Sequence, residues 1–150
     1  MNTLFDVAAK DGILRRIDAM RPDAPRQWGK MDAAQMLAHC SLGMEAATGD
    51  ALLHSNFAAK LIGPLFKGWM LGEKPFSKNS PTHPLLVLNK TSCDFAREKP
   101  RLVAVVRKFH DLGPASAANY KHAFVQKLTG DEWGVLQWKH LDHHLRQFGA

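Results

Sequence analysis

Apolar residues along this chain recur at intervals of three and four, the period of a helix with one buried face. Nowhere do they alternate for long enough to build a sheet. Val7, Ile13, Leu14 and Ile17 predict a first helix from Asp6 to about Arg21, ended by Pro22. A loop rich in Pro and Arg follows and closes on Trp28-Gly29-Lys30-Met31. Asp32 then caps a second helix, Gln35 completes a capping box, and Gly49 ends the helix after Thr48. Leu61, Ile62, Leu65, Phe66, Trp69 and Met70 predict a third stretch over Ala58 to Met70, broken or kinked at Gly63–Pro64. Core packing is the plainer use of that stripe, and a dimer face is the other.

Gly72 to Cys93, punctuated by Pro75, Pro81 and Pro84, predicts a long connection with a short extended piece at Leu85–Leu88. Connections of that length are uncommon inside a domain and often carry function, here as a cover over a site. Another helix is expected from Pro100 to Asp111, with Pro100 in its first turn and Gly113–Pro114 as its end. Thr129 and Glu132 form a second capping box at the head of a last helix, Asp131 to about Phe148. Together these elements predict an all-α fold, a helical bundle with long irregular connections.

Composition narrows the class. The 150 residues suit a single domain over 1–150, and 45% hydrophobic content supplies a core without staples. Cys40 and Cys93 form no CxxC pair and suit a reducing compartment. Cys40 falls in an apolar stripe and reads as a small buried hydrophobe, whereas Cys93, in a loop, is the more reactive thiol of the two. The N-terminus has neither a basic nor an apolar region of the secretory kind, and the most apolar stretch is interrupted by Lys60 and Lys67. A cytoplasmic protein with no membrane partner is expected. The excess of 20 Lys and Arg over 14 Asp and Glu is spread out, with no basic helix, so nucleic acid is not an expected partner.

Histidine changes the picture. The chain has eight, three of them in Lys139-His140-Leu141-Asp142-His143-His144. On a helix His140 and His144 lie about 40° apart, at the edge of the face formed by Leu141, Leu145 and Phe148, while His143 points about 60° the other way. Two imidazoles one turn apart can converge on a metal, or can be half-buried rings satisfied by backbone carbonyls. Spacing alone leaves both open. A third ligand would come from another helix, and His39 is the best candidate, on the border of the stripe Met36, Cys40, Gly43 and Ala47. Glu45 and Asp142 face away from these histidines, so no general base is named.

Three runs carry a resemblance over most of the chain. They are Trp28-Gly29-Lys30-Met31 with Gln35-Met36-Leu37-Ala38-His39, then Lys74-Pro75-Phe76 to Asn79-Ser80-Pro81-Thr82, and the stretch from Lys127-Leu128-Thr129 through Glu132-Trp133-Gly134 to Lys139–Gly149. On these the sequence resembles the DinB/YfiT-like superfamily of metal-binding four-helix bundles, within a bacterial branch known as a domain of unknown function. The resemblance implies a divalent metal held by His39, His140 and His144. The sequence departs from the branch where Tyr120 to Gln126 replaces a His-Pro-aromatic-aromatic-Gly run and Gly130 replaces a proline. His122 is kept there, as a residue behind the ligands or facing substrate.

Zinc or nickel heads the expected metals, with iron, cobalt, copper or manganese also accepted by such a set. The resemblance further implies a thiol-dependent S-transferase or a hydrolase acting on a small molecule, with a low-molecular-weight thiol as co-reactant. The alternative is a non-catalytic metal-binding or dimerising bundle, for which a homodimer is the expected partner state.

Overall fold

A computed structural model of the chain describes residues 1–51, 63, 66–80, 82, 84–123 and 125–150. Among these, four helices of 13 to 23 residues enclose one core, and the fold is all-α. Helix α1 spans Val7–Ala19, where Asp6 accepts a hydrogen bond from the Ala9 N–H and Ile13, Leu14 and Ile17 turn inward. Val7, expected on the same face, is exposed. Helix α2 spans Ala33–Thr48, with the Asp32–Gln35 capping box formed and Gly49 closing it at φ 79°.

Helix α3, Phe95–Ala117, starts a full turn earlier than Pro100 suggests. Asp94 accepts from the Ala96 N–H and caps it, so Pro100 lies inside the helix and the Ala96 carbonyl loses its usual donor. Burial of Glu98, Leu102, Val105 and Val106 along the same helix outweighs that defect. Gly113, at φ 71°, breaks the helix as expected, but Pro114 opens one more turn, to Ala117. Two two-residue strands, β1 (Lys121–His122) and β2 (Gln126–Lys127), then pair antiparallel, Lys121 opposite Lys127. Helix α4 spans Gly130–Gln147 behind the Thr129–Glu132 capping box.

The connection from Gly72 to Cys93 is irregular, but its expected extended piece is a 3-10 turn over Pro84–Leu86, closed by the Val87 N–H on the Pro84 carbonyl. Most of the predicted third helix, with Pro64, lies outside the described residues. Residues 66–71 are helical, with Phe66 and Trp69 exposed.

Helix α2 occupies the centre. It buries every residue except Leu42 and Glu45, packing most extensively on α3 and also on α4. Met36, Leu37, Met44, Leu102, Phe109 and Trp133 meet in the core, each contributing about 1.5–3 kcal/mol by leaving water. Helix α4 is held from outside by Arg16 of α1, which reaches the Asp142 carboxylate at 2.8 Å and the Ala150 carbonyl at 2.9 Å. No helix among the described residues is long and apolar enough to cross a membrane.

Candidate metal centre

The i, i+4 spacing of α4 and the burial of α2 bring His39, His140 and His144 together, with one ring nitrogen of each within 4.8 Å of the others. The Nε2 atoms of His39 and His140 are 2.9 Å apart. Gly43, one turn beyond His39, makes room for this approach, because a Cβ there would stand 3.1 Å from Cε1 of His140.

The outer nitrogens of two rings are tied elsewhere. His39 donates its Nδ1–H to the Leu86 carbonyl at 2.9 Å, and His144 donates its Nδ1–H to Oε1 of Gln147 at 2.8 Å. Each bond fixes the tautomer and leaves Nε2 as a bare lone pair, which is what a metal ligand needs. Gln147 is fixed in turn by donating to the Trp28 carbonyl at 2.8 Å. Gly29 is needed beside it, since its φ is 80° and a side chain there would collide with the Gln147 amide. The Trp28-Gly29 turn therefore braces the far end of α4.

Burial is the main force on the ring charges. It pushes His39 below the ordinary imidazole value, opposed by the Leu86 carbonyl, and pushes His140 and His144 well below it. For His140 and His144 the charge of neighbouring rings acts in the same direction. Three neutral nitrogen donors, two of them with fixed tautomers, facing one another in a buried place, fit a divalent transition metal.

The cluster opens on a cavity of about 910 Å³. Trp28, Trp69, Phe76, Leu86, Trp133 and Leu136 supply much of its apolar wall. His122 lines the same cavity; its ring packs edge-on to Trp133 at 5.4 Å and its Nδ1 accepts from the Val125 N–H at 3.2 Å. His143, which helical geometry turns away from His140, is buried too, between Trp28 at 5.6 Å and Phe76 at 6.0 Å.

The chain matches a family model described as "Protein of unknown function (DUF1569)" over residues 3–150. It belongs to that family. Searches of curated proteins and of solved structures found no match.

In this DUF1569 chain the three sequence runs meet in space. The first supplies His39 and the Trp28 brace, the second places Phe76 against His143, and the third carries His140, His144 and Gln147. Sequence reasoning missed Gln147, although a glutamine three residues past His144 on one helix face is a readable signal. It also missed Lys139, whose ammonium donates to the Met70 and Gly72 carbonyls at 2.8 and 2.6 Å and lies 4.7 Å from the Phe76 ring. Gln137, one turn before His140, donates to the Gly43 carbonyl and leaves its buried Oε1 without a partner among the described residues.

Cys93 is the more accessible of the two thiols, as expected, but it is not an activated one. Partial burial and the carboxylates of Glu98 and Asp32 push its thiol up, which makes it a poorer nucleophile. Cys40 is fully enclosed, as expected, and burial drives its thiol far above the ordinary value. Asp142 is paired with Arg16 and Arg146, and Glu45 with Arg101, so both are engaged away from the histidines.

Proposed function

We propose that this DUF1569 chain is a metal-dependent enzyme of the DinB-like superfamily, with His39, His140 and His144 as its metal ligands. The observation that carries the reading is the convergence of three neutral ring nitrogens while Leu86 and Gln147 hold the outer nitrogens of two of them. Three histidines leave room on the metal for water or substrate, and zinc or nickel suits the donor set best. A divalent ion bound there would make a coordinated water or thiol acidic enough to act as a nucleophile near neutral pH.

The reaction class is transfer to a low-molecular-weight thiol, or hydrolysis, on a small molecule. The cavity supports this because its size falls in the range of roughly 300–1,000 Å³ typical of small-molecule sites, and its walls exclude bulk water from one side of the ligands. His122 faces substrate in this scheme. With Nδ1 accepting from Val125, its ring proton sits on Nε2.

The test is elemental analysis of tag-free protein beside a His140→Ala/His144→Ala variant, before and after reconstitution with zinc and nickel. Near-stoichiometric metal in the parent and none in a still-helical variant is the expected result. No metal in the parent after reconstitution would leave a non-catalytic bundle in its place. Hydrolysable esters and thiol acceptors, with and without chelator, then separate the two reaction types.

A further inference from the structure

The charges around the cavity are one-sided. Among the described residues that line it, the only ionised side chains are Lys30 and Lys78, and no aspartate or glutamate is present. Neither lysine forms an ion pair among the described residues. Lys78 instead rests its ammonium 4.8 Å from the centre of the Trp28 ring. The three histidines are neutral, so a divalent ion on them would keep its full charge and add to the same sign.

Five aromatic rings, Trp28, Phe66, Trp69, Phe76 and Trp133, share the apolar wall with aliphatic side chains such as Leu86 and Leu136. Trp69 lies 5.2 Å from Phe76 with the rings tilted by 30°, and both Phe76 and Trp28 meet the His143 ring. Trp69 and Phe66, which also line the cavity, keep 42% and 48% of their surface exposed and so lie open to a ligand. Flat faces reward a flat ligand through offset stacking and edge contacts.

Resting on the reading of this cavity as a small-molecule site, we propose that its ligand is an aromatic molecule carrying an anionic group. The ring lies against Trp28, Trp69 and Phe76, and the anion is held at Lys30 and Lys78. An acidic wall would refuse this choice, and a purely aliphatic wall would not prefer a ring.

The probe is 2-naphthoate, with its neutral amide 2-naphthamide and the aliphatic acid decanoate as comparisons. Binding is read by calorimetry on the full chain, and metal content is read separately by elemental analysis. The naphthoate should bind at least about fivefold tighter than the amide, the size of one or two partly exposed charge pairs. In a Lys30→Gln/Lys78→Gln variant that preference should vanish while amide binding stays the same. Trp69→Ala, which removes a half-exposed ring and leaves the core intact, should weaken both naphthyl compounds about tenfold.

Equal affinity for acid and amide, a preference that survives the double lysine variant, or decanoate binding as well as naphthoate would each overturn the proposal. So would the absence of naphthyl binding in folded protein. Metal present with naphthoate ignored would sink this inference alone, and naphthoate bound without metal would sink only the metal reading.

Discussion

Helix α2 carries two polar clusters on different sides, one around Glu45 and one around His39. On the Glu45 side, Arg101 from α3 grips Glu45 with two bonds of 2.7 Å and Glu98 with a third at 2.9 Å. Arg97 closes the set on the other oxygen of Glu98, which is 1% exposed. On the His39 side there is no counter-charge among the described residues. Burial favours the neutral rings, and their inner nitrogens face one another, those of His39 and His140 at 2.9 Å. The first cluster is complete within the protein, since every charge has a partner. The second gathers neutral nitrogen donors against a cavity, and buried donor sets of that kind are where ligands bind.

Removing a ligand should therefore act on one cluster and spare the other. Stripping bound metal with a chelator should cost the parent protein roughly 4 kcal/mol if the ion is present at a thousand times its dissociation constant. Urea unfolding with and without chelator measures this, and His140→Ala/His144→Ala should abolish the difference. Arg101→Ala should cost about 2 kcal/mol, because Glu45 loses its partner while Arg97 still holds the buried Glu98, with metal content unchanged. Metal lost together with the arginine would mean that the two clusters are one unit.

Acid should strike the metal-free histidine cluster in a narrow window. Burial lowers the folded values, so the unfolded chain takes up protons first as the pH falls. The stability is whole above about pH 6.5 and declines below it, by about 1 kcal/mol for each of His140 and His144 between pH 6.5 and 5.5. Chemical denaturation of metal-free protein at several pH values would show it, and a flat profile over that window would contradict it.

Smaller effects sharpen the contrast. Gln147→Leu keeps the helix but frees the His144 ring, and should weaken metal binding about tenfold in a competition titration. Gln137→Leu should change stability by less than about 1 kcal/mol, because the lost bond to the Gly43 carbonyl is offset by removing a buried acceptor that lacks a donor among the described residues.

What could be read from the sequence was what depends on near neighbours. Both capping boxes, the Gly49 and Gly113 stops and the pairing of His140 with His144 involve residues within one turn of each other. His39 was legible because a histidine on the border of an apolar stripe faces the neighbouring helix. The Leu86 carbonyl was not, since a main-chain oxygen has no signature and any residue supplies one. Pro100 misled because its steric rule is local, whereas the burial that keeps it in α3 is not. His143 and Lys139 lie on a face that the helix pattern marks as polar. Phe76 and the carbonyls at Met70 and Gly72 cover that face from a remote part of the chain.

The bond from His39 to the Leu86 carbonyl makes the long connection and the ligand set thermodynamically linked. Gln35, one turn earlier on α2, holds the same connection through the Thr91 carbonyl at 2.8 Å. Whatever lifts the Pro84–Leu86 turn also takes away the group that keeps the His39 lone pair aimed inward, and by reciprocity an ion on that lone pair resists the lifting. Occupancy at the centre of the bundle would thus be legible at its surface, as slower amide exchange and slower proteolytic nicking along a stretch of chain that touches the ion nowhere.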